Sequence, residues 1–278
     1  MPTGTESDLP GPLLVLAAAP LEGAAILRAA SIPGAGPGTG PGDADLSKSW
    51  YRIALREGEH AVDLALTRVG KAMAAACAAR LLTQSPCAGV VNLGICGVLP
   101  RAVSESQGHS EQWVMPIDLV GRPVFASHSV MGDEGLLEPA HAAPRFTTID
   151  AMGFPAVPPA PGMTPETPPD PRRPASPALA SALLSRLTRA GLDPLRGTIA
   201  TISTCSGTDA GAREVVRRTG AIAEAMEGAA IAQVCAMLSV PFVELRVISN
   251  TTGDRAAQHW DMPRAKETLE RVARAILA

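Results

Sequence analysis

The stretch 223–250, AEAMEGAAIAQVCAMLSVPFVELRVISN, reads as strand, helix, strand, and that reading decides the fold. The first strand is expected over residues 221–226. GAAIAQVCAML at 228–238 has the small and apolar side chains of a packed helix, and FVELRVIS at 242–249 has the length and branching of a strand. Two strands joined by a helix are the unit from which parallel sheets are built. Downstream, a helix is expected from about residue 263 to 277, with Asp261 placed to cap it. Upstream come helices at 178–190 and 211–219 with a strand at 197–203 between them.

The same alternation reaches the other end of the chain. LLVLAAA at 13–19 is wholly apolar, the pattern of a central strand buried on both faces. Pro20 ends it, and LEGAAILRAA follows at helical spacing. Residues 50–56 and 61–68 read as strands, MAAACAARLLTQ at 73–84 as an alanine-rich helix against a sheet, and GVVNLGICGVLP at 89–100 as a second buried strand. Strands are also expected at 113–119 and 123–130, joined by a turn at Gly121-Arg122. The Gly/Pro-rich segment 31–45 reads as a loop, and the proline cluster at 154–177 as a surface excursion or linker. Residues 1–278 thus read as one three-layer α/β domain around a mixed, largely parallel sheet, with a loose tail at 1–12 and a proline-rich insertion at 154–177.

Composition removes several classes of function. The formal charge is −3, with 46% hydrophobic and only 3% aromatic residues. A nucleic-acid binder needs a cationic stripe and stacking rings, so that class is not expected. The start of the chain, MPTGTESDLPGP, lacks the basic and apolar regions of a signal peptide, and the apolar run after it is too short to span a bilayer. A cytoplasmic location follows as an expectation. Five scattered cysteines form no CxxC pair and five scattered histidines no HExxH, so neither a metal nor a disulfide framework is expected.

Ligands in open α/β sheets sit beyond the carboxyl ends of the strands. The exits here are Pro20-Leu21-Glu22, the glycine turn Asn92–Gly97, Ser203–Gly207, Met226-Glu227-Gly228, and Arg246 through Ser249-Asn250. Two carboxylates, an arginine and an amide converge, with no cysteine–histidine or serine–histidine pairing. Each residue also has a plainer reading. Glu22 fits a first-turn acid on a helix dipole, GICG a simple tight turn, Cys205 and Trp260 packing, and Asn250 a strand-ending turn. Glu227 lies between an apolar strand and an apolar helix, where a charge is expected to be paired or functional.

TRVGKAMAAACAARLL, VVNLGICG and AEAMEGAAIAQVCAMLSVPFVELRVISN, in that order, resemble the nucleoside phosphorylase and nucleosidase superfamily. Within it, ATISTCSGTDAGA, MEGAA, ISNTTGDR and SHSVMGDEGLLEP are similar to the futalosine hydrolases. The resemblance implies a phosphorylase/hydrolase-like α/β/α fold. It also implies hydrolysis of the N-glycosidic bond of futalosine in menaquinone biosynthesis, releasing hypoxanthine and dehypoxanthine futalosine without a cofactor. Carried onto these positions, Glu22 activates the water, Arg246 orders the water and the carboxylates, and Asn250 reads the base. Glu227 binds the ribose hydroxyls with Met226 packed on the sugar. Thr204, Cys205 and Trp260 surround the purine, and Ile95, Cys96, Gly97 and Ser249 complete the pocket. The SHSVMGDEGLLEP segment implies a homo-oligomer, a dimer or tetramer. The polar stretch 101–113 departs from the family pattern.

Three rival readings stand beside this one. A methylthioadenosine/S-adenosylhomocysteine nucleosidase is expected to carry Asp where this chain has Asn250. A purine nucleoside phosphorylase needs a polar phosphate cradle at the glycine turn, where Ile95 and Cys96 offer none. A purine-nucleoside binding protein would not need Glu22, Glu227 and Arg246 together.

Overall fold

β1 (Leu13–Ala17) is buried at every position, and its period of two sorts the molecule into layers. Leu13, Val15 and Ala17 face one core, shared with α1 (Pro20–Ala29) and α6 (Met262–Leu277); Leu14 and Leu16 face another, shared with α2 (Lys71–Gln84) and α5 (Gly228–Met237). The computed structural model describes residues 12–30, 53–57, 60–103, 112–139, 145–155 and 171–277. The expected loop at 31–45, residues 1–11 of the expected tail, and residues 156–170 of the proline insertion lie outside them. Among the described residues, no helix is long and apolar enough to cross a membrane.

Among the described residues, nine strands form one sheet. β1 lies parallel between β3 (His60–Leu66) and β4 (Gly89–Val98), and β2 (Ile53–Glu57) adds antiparallel to β3. β13 (Phe242–Thr251) runs parallel to β4 on its other side. The sheet then curls. β7 (Pro123–Met131) pairs antiparallel with β13 and parallel with β11 (Leu195–Thr201); β11 pairs parallel with β12 (Ala223–Ala225), which returns antiparallel to the end of β4. The circuit β4–β13–β7–β11–β12 is closed, and Cys96, Val98, Ala126, Ile199, Ala223 and Ile248 pack together within it. Five of the nine pairings are parallel, which makes the sheet mixed, as expected.

Three expectations need correction. The glycine turn expected within 92–97 is not a turn: β4 runs as one strand through Gly89–Val98, and Gly94 to Gly97 pair with β13. Residues 113–119 are not one strand. β6 (Gln112–Val114) pairs with β5 (Arg101–Val103), and a single 3-10 turn at Ile117–Leu119 follows. Pro116 lies at the break; with no N–H and a fixed φ it cannot carry a ladder forward. The proline insertion is also shorter than 154–177. Arg172–Pro174 is β10, antiparallel on the edge of β7, and Pro177 opens α3 (Pro177–Arg189). An edge strand and a first helical turn are the two places where a missing N–H costs little.

Candidate active site

Glu22 stands in the first turn of α1, and its side chain does more than cap that helix. Oε2 accepts from the N–H groups of Ala18 (2.9 Å) and Ala19 (2.8 Å), and Oε1 from the N–H of Ile95 on β4 (2.8 Å). Three backbone donors therefore fix a carboxylate that is 3% exposed. Gly94 makes the approach possible: a Cβ there would collide with Glu22 Oε1 and sit 2.8 Å from Arg246 Nη1.

Arg246 is the hub. Period two along β13 places Glu244 and Arg246 on the same face, and Arg246 Nε donates to Glu244 Oε1 (2.9 Å). Its Nη2 meets Glu227 Oε2 at 3.2 Å and, with the Asn92 amide turned to satisfy its hydrogen bonds, that amide's oxygen at 2.6 Å; Nη1 points at the Ile95 carbonyl at 3.4 Å. Glu227 is the N-cap residue of α5 and also accepts from the Gly70 N–H (3.1 Å). Glu244 accepts from Ser129 Oγ at 2.5 Å and is approached so closely by Gly228 that a Cβ there has no room.

Burial dominates the electrostatics. It pushes Glu22 and Glu244 above the ordinary carboxylate range, with the Arg246 charge and hydrogen bonds pulling back only in part. For Arg246 burial acts downward, but Glu244, Glu227 and Glu22 outweigh it and hold the guanidinium protonated. The cluster thus combines one fixed cation with acids of raised proton affinity.

Two cavities lie at these strand ends. The larger, about 590 Å³, is lined by Gly70, Met131, Ser203, Met226, Gln233 and Met237, among others. Lys71 stands at its wall, paired with Asp133 and, at 3.2 Å, Glu134. The smaller, about 290 Å³, is bounded by Gly97, Cys205, Glu224, Asn250, Gln258 and Trp260 with their neighbours. Gln258 Nε2 donates to the carbonyls of Ser206 and Gly253, while its Oε1 accepts from Arg255 and Trp260 Nε1; this ties the 203–208 loop to the segment after β13.

The expected residues divide between these places. Glu22, Arg246 and Glu227 form one buried network, which Ile95 joins through its N–H and carbonyl. Met226 lines the larger cavity; Gly97, Cys205, Asn250 and Trp260 line the smaller. Cys96 is buried and offers only its carbonyl, 3.1 Å from the buried Ser249 hydroxyl. Thr204 is exposed and lines neither cavity, so the structure separates it from the others. The Cys205 thiol is pushed up by partial burial and by the charges of Glu224 and Glu227, which disfavours the thiolate.

Glu244, Asn92 and Glu224 escaped the sequence reading. Glu244 carried a signal: an acid and an arginine two apart in an apolar strand share a face. Glu224, the lone charge in Ala223–Ala225, carried a similar one. Asn92 gave none beyond its place before the glycines of β4.

The family model described as the phosphorylase superfamily matches residues 12–278. A futalosine hydrolase of Thermus thermophilus is 33% identical over 214 residues, 76% of this chain and 77% of that one. A futalosine hydrolase of Acidothermus cellulolyticus is 46% identical over 89 residues, 32% of this chain; that match spans 36% of the relative's length. A solved structure of a futalosine hydrolase mutant of Helicobacter pylori superposes with a TM-score of 0.62 at 18% identity, covering 96% of this chain and 95% of that one, and shares the fold. The chain belongs to the phosphorylase superfamily and, within it, to the futalosine hydrolase family.

Proposed function

We propose that this chain is a nucleosidase that hydrolyses the N-glycosidic bond of futalosine, a 6-oxopurine nucleoside, in menaquinone biosynthesis. The observation that carries the reading is Glu22: a buried carboxylate held by three N–H groups, raised in proton affinity, and linked through the Ile95 backbone and Arg246 to Glu227. A general base works best when its pKa approaches the working pH, and burial moves Glu22 in that direction. Water gives a proton to Glu22 and its oxygen bonds to C1′. The C1′–N9 bond breaks with its electron pair passing to the base, which takes up a proton from solvent and leaves as hypoxanthine, and Glu22 returns its proton to solvent. The ribosyl centre is cation-like in between, and the carboxylates of Glu22 and Glu227 beside it favour that charge.

Glu227 holds the ribose hydroxyls and Met226 packs on the sugar. Gly97, Cys205, Asn250 and Trp260, which border the smaller cavity, form the base side. Phosphorolysis is disfavoured because Gly94–Gly97 offer no polar side-chain cradle for a phosphate and the Ile95 N–H is taken by Glu22. The chain acts as one domain in the cytoplasm, as a homo-oligomer, without a metal or cofactor.

The test is incubation of the purified protein with futalosine, inosine, methylthioadenosine or S-adenosylhomocysteine, with and without phosphate, followed by assay of free base. Phosphate-independent release of hypoxanthine from futalosine is the expected result. Release that requires phosphate, release of adenine alone, or binding without release would each overturn the reading in favour of one rival.

A further inference from the structure

β13 carries a fully buried acid to which the proposed hydrolysis gives no role. Glu244 is 0% exposed and borders neither cavity, so it does not reach a nucleoside bound there. A carboxylate in such surroundings is costly unless it is paired. Its Oε2 accepts from the Ser129 hydroxyl at 2.5 Å and its Oε1 from Arg246 Nε at 2.9 Å. It fits against the start of α5 only because residue 228 is glycine.

Glu227, the acid proposed to hold the ribose hydroxyls, is engaged more loosely. Its Oε1 accepts from the Gly70 N–H at 3.1 Å and its Oε2 from Arg246 Nη2 at 3.2 Å. Arg246 therefore leans on Glu244, through Nε, more closely than on Glu227. An ionised carboxylate has about four acceptor positions, so Glu227 keeps about two, one for each hydroxyl of a ribose. Gly70 and Met226, its hydrogen-bond partner and its chain neighbour, line the larger cavity. Hydrogen bonds to a charged acceptor are the strong ones, and Glu227 supplies them best while its counter-cation is held elsewhere.

We propose that Glu244 is a positioning residue: it draws the Arg246 guanidinium toward itself and so leaves Glu227 able to take the 2′- and 3′-hydroxyls of a ribose. The inference rests on the nucleosidase reading above and names the residue that makes the site prefer ribonucleosides to their 2′-deoxy counterparts. With a neutral side chain at 244, Arg246 loses one of the acids beside it and turns to Glu227 as a closer pair. That pair occupies acceptor positions that the hydroxyls need.

The experiment is calorimetric titration of wild type and Glu244→Gln with inosine and with 2′-deoxyinosine, beside kcat and KM on futalosine. Where either nucleoside is hydrolysed, the ratio of kcat/KM replaces the ratio of affinities. Glutamine keeps the shape: its carbonyl can accept from Arg246 Nε while its NH₂ donates to the Ser129 hydroxyl. Wild type is expected to favour inosine about 10- to 100-fold, the size of one hydrogen bond to a charged group, and Glu244→Gln to lose most of that preference. On futalosine KM should rise more than kcat falls, because Glu22 is untouched. No preference in wild type, or an unchanged one in folded Glu244→Gln, overturns the proposal. Should Glu244→Gln not fold, Glu244→Met, equally neutral and of similar length, is expected to show the same loss, and an unchanged preference there overturns it. If the preference falls with Glu244 while wild type releases no base from any nucleoside, the nucleosidase reading fails and the positioning role stands.

Discussion

Glu22 serves two ends with one carboxylate, because the three N–H groups that position it also define what can replace it. Glutamine keeps the shape, but its NH₂ must face at least one of the donors from Ala18, Ala19 or Ile95. Glu22→Gln is therefore expected to lower kcat roughly 10²–10⁴-fold through loss of the base. It should also destabilise the fold by about 1–3 kcal/mol through a donor set against a donor. Single-turnover kinetics and thermal melting check the two parts separately, and wild-type turnover would remove Glu22 from the mechanism. Gly94→Ala attacks the same point from the other side. Its Cβ would displace Glu22 or Arg246, so turnover should drop at least tenfold, with an overpacking cost of about 1–3 kcal/mol. The pH dependence has a definite sign. Since burial raises Glu22 above the ordinary value of 4.5, the base is protonated, and activity lost, at a pH above the ordinary glutamate range. An acid limb of kcat/KM at or below 4.5 would contradict that.

At the scale of elements, β13 and α6 are joined by a short, tightly bonded segment. Asp261 Oδ1 accepts from the Arg264 N–H (3.0 Å), and the Asp261 N–H bonds to the Ser249 carbonyl (3.0 Å), so the cap that starts α6 also anchors the chain beside Asn250 and Trp260. Asp261→Ala removes the cap and is expected to cost about 1 kcal/mol, in the range of N-cap deletions. The KM should rise more than kcat falls, because the strand end moves and the chemistry does not. Urea denaturation and steady-state kinetics measure both. Identical stability would mean that the α6 start is held by its packing alone.

For the whole molecule, apolar exposure is concentrated near the larger cavity and on the hairpin of β8 (Gly135–Glu138) and β9 (Arg145–Thr148). Leu136 is 45% exposed, Leu137 52%, Phe154 68% and Met237 62%. A surface of this kind is what the proposed homo-oligomer would bury. Leu137→Glu is expected to shift the protein from oligomer to monomer in sedimentation while changing monomer stability by less than about 0.5 kcal/mol, since the residue lies on the surface. A wild-type protein that is a fully active monomer at working concentration would end the oligomer proposal.

The sequence by itself determined the alternation of strand and helix, because apolar runs and helical spacing are local and both faces of β1, β4 and β13 must be covered. It also marked Glu22, Glu227 and Arg246, since ionisable groups between apolar segments are costly unless partnered. It did not reveal that β12 turns back antiparallel on β4, or that the strands close into a circuit, because pairing direction depends on contacts between residues more than a hundred positions apart. Glu224 and Asn250 border one small cavity only because β12 and β13 both pair with distant β4 at Gly97. Glu244 was legible as a charge, yet its partnership with Arg246, Ser129 and the backbone of Gly228 required three other elements to arrive at one point. Local pattern specifies which residues must be buried; only packing specifies which of them touch.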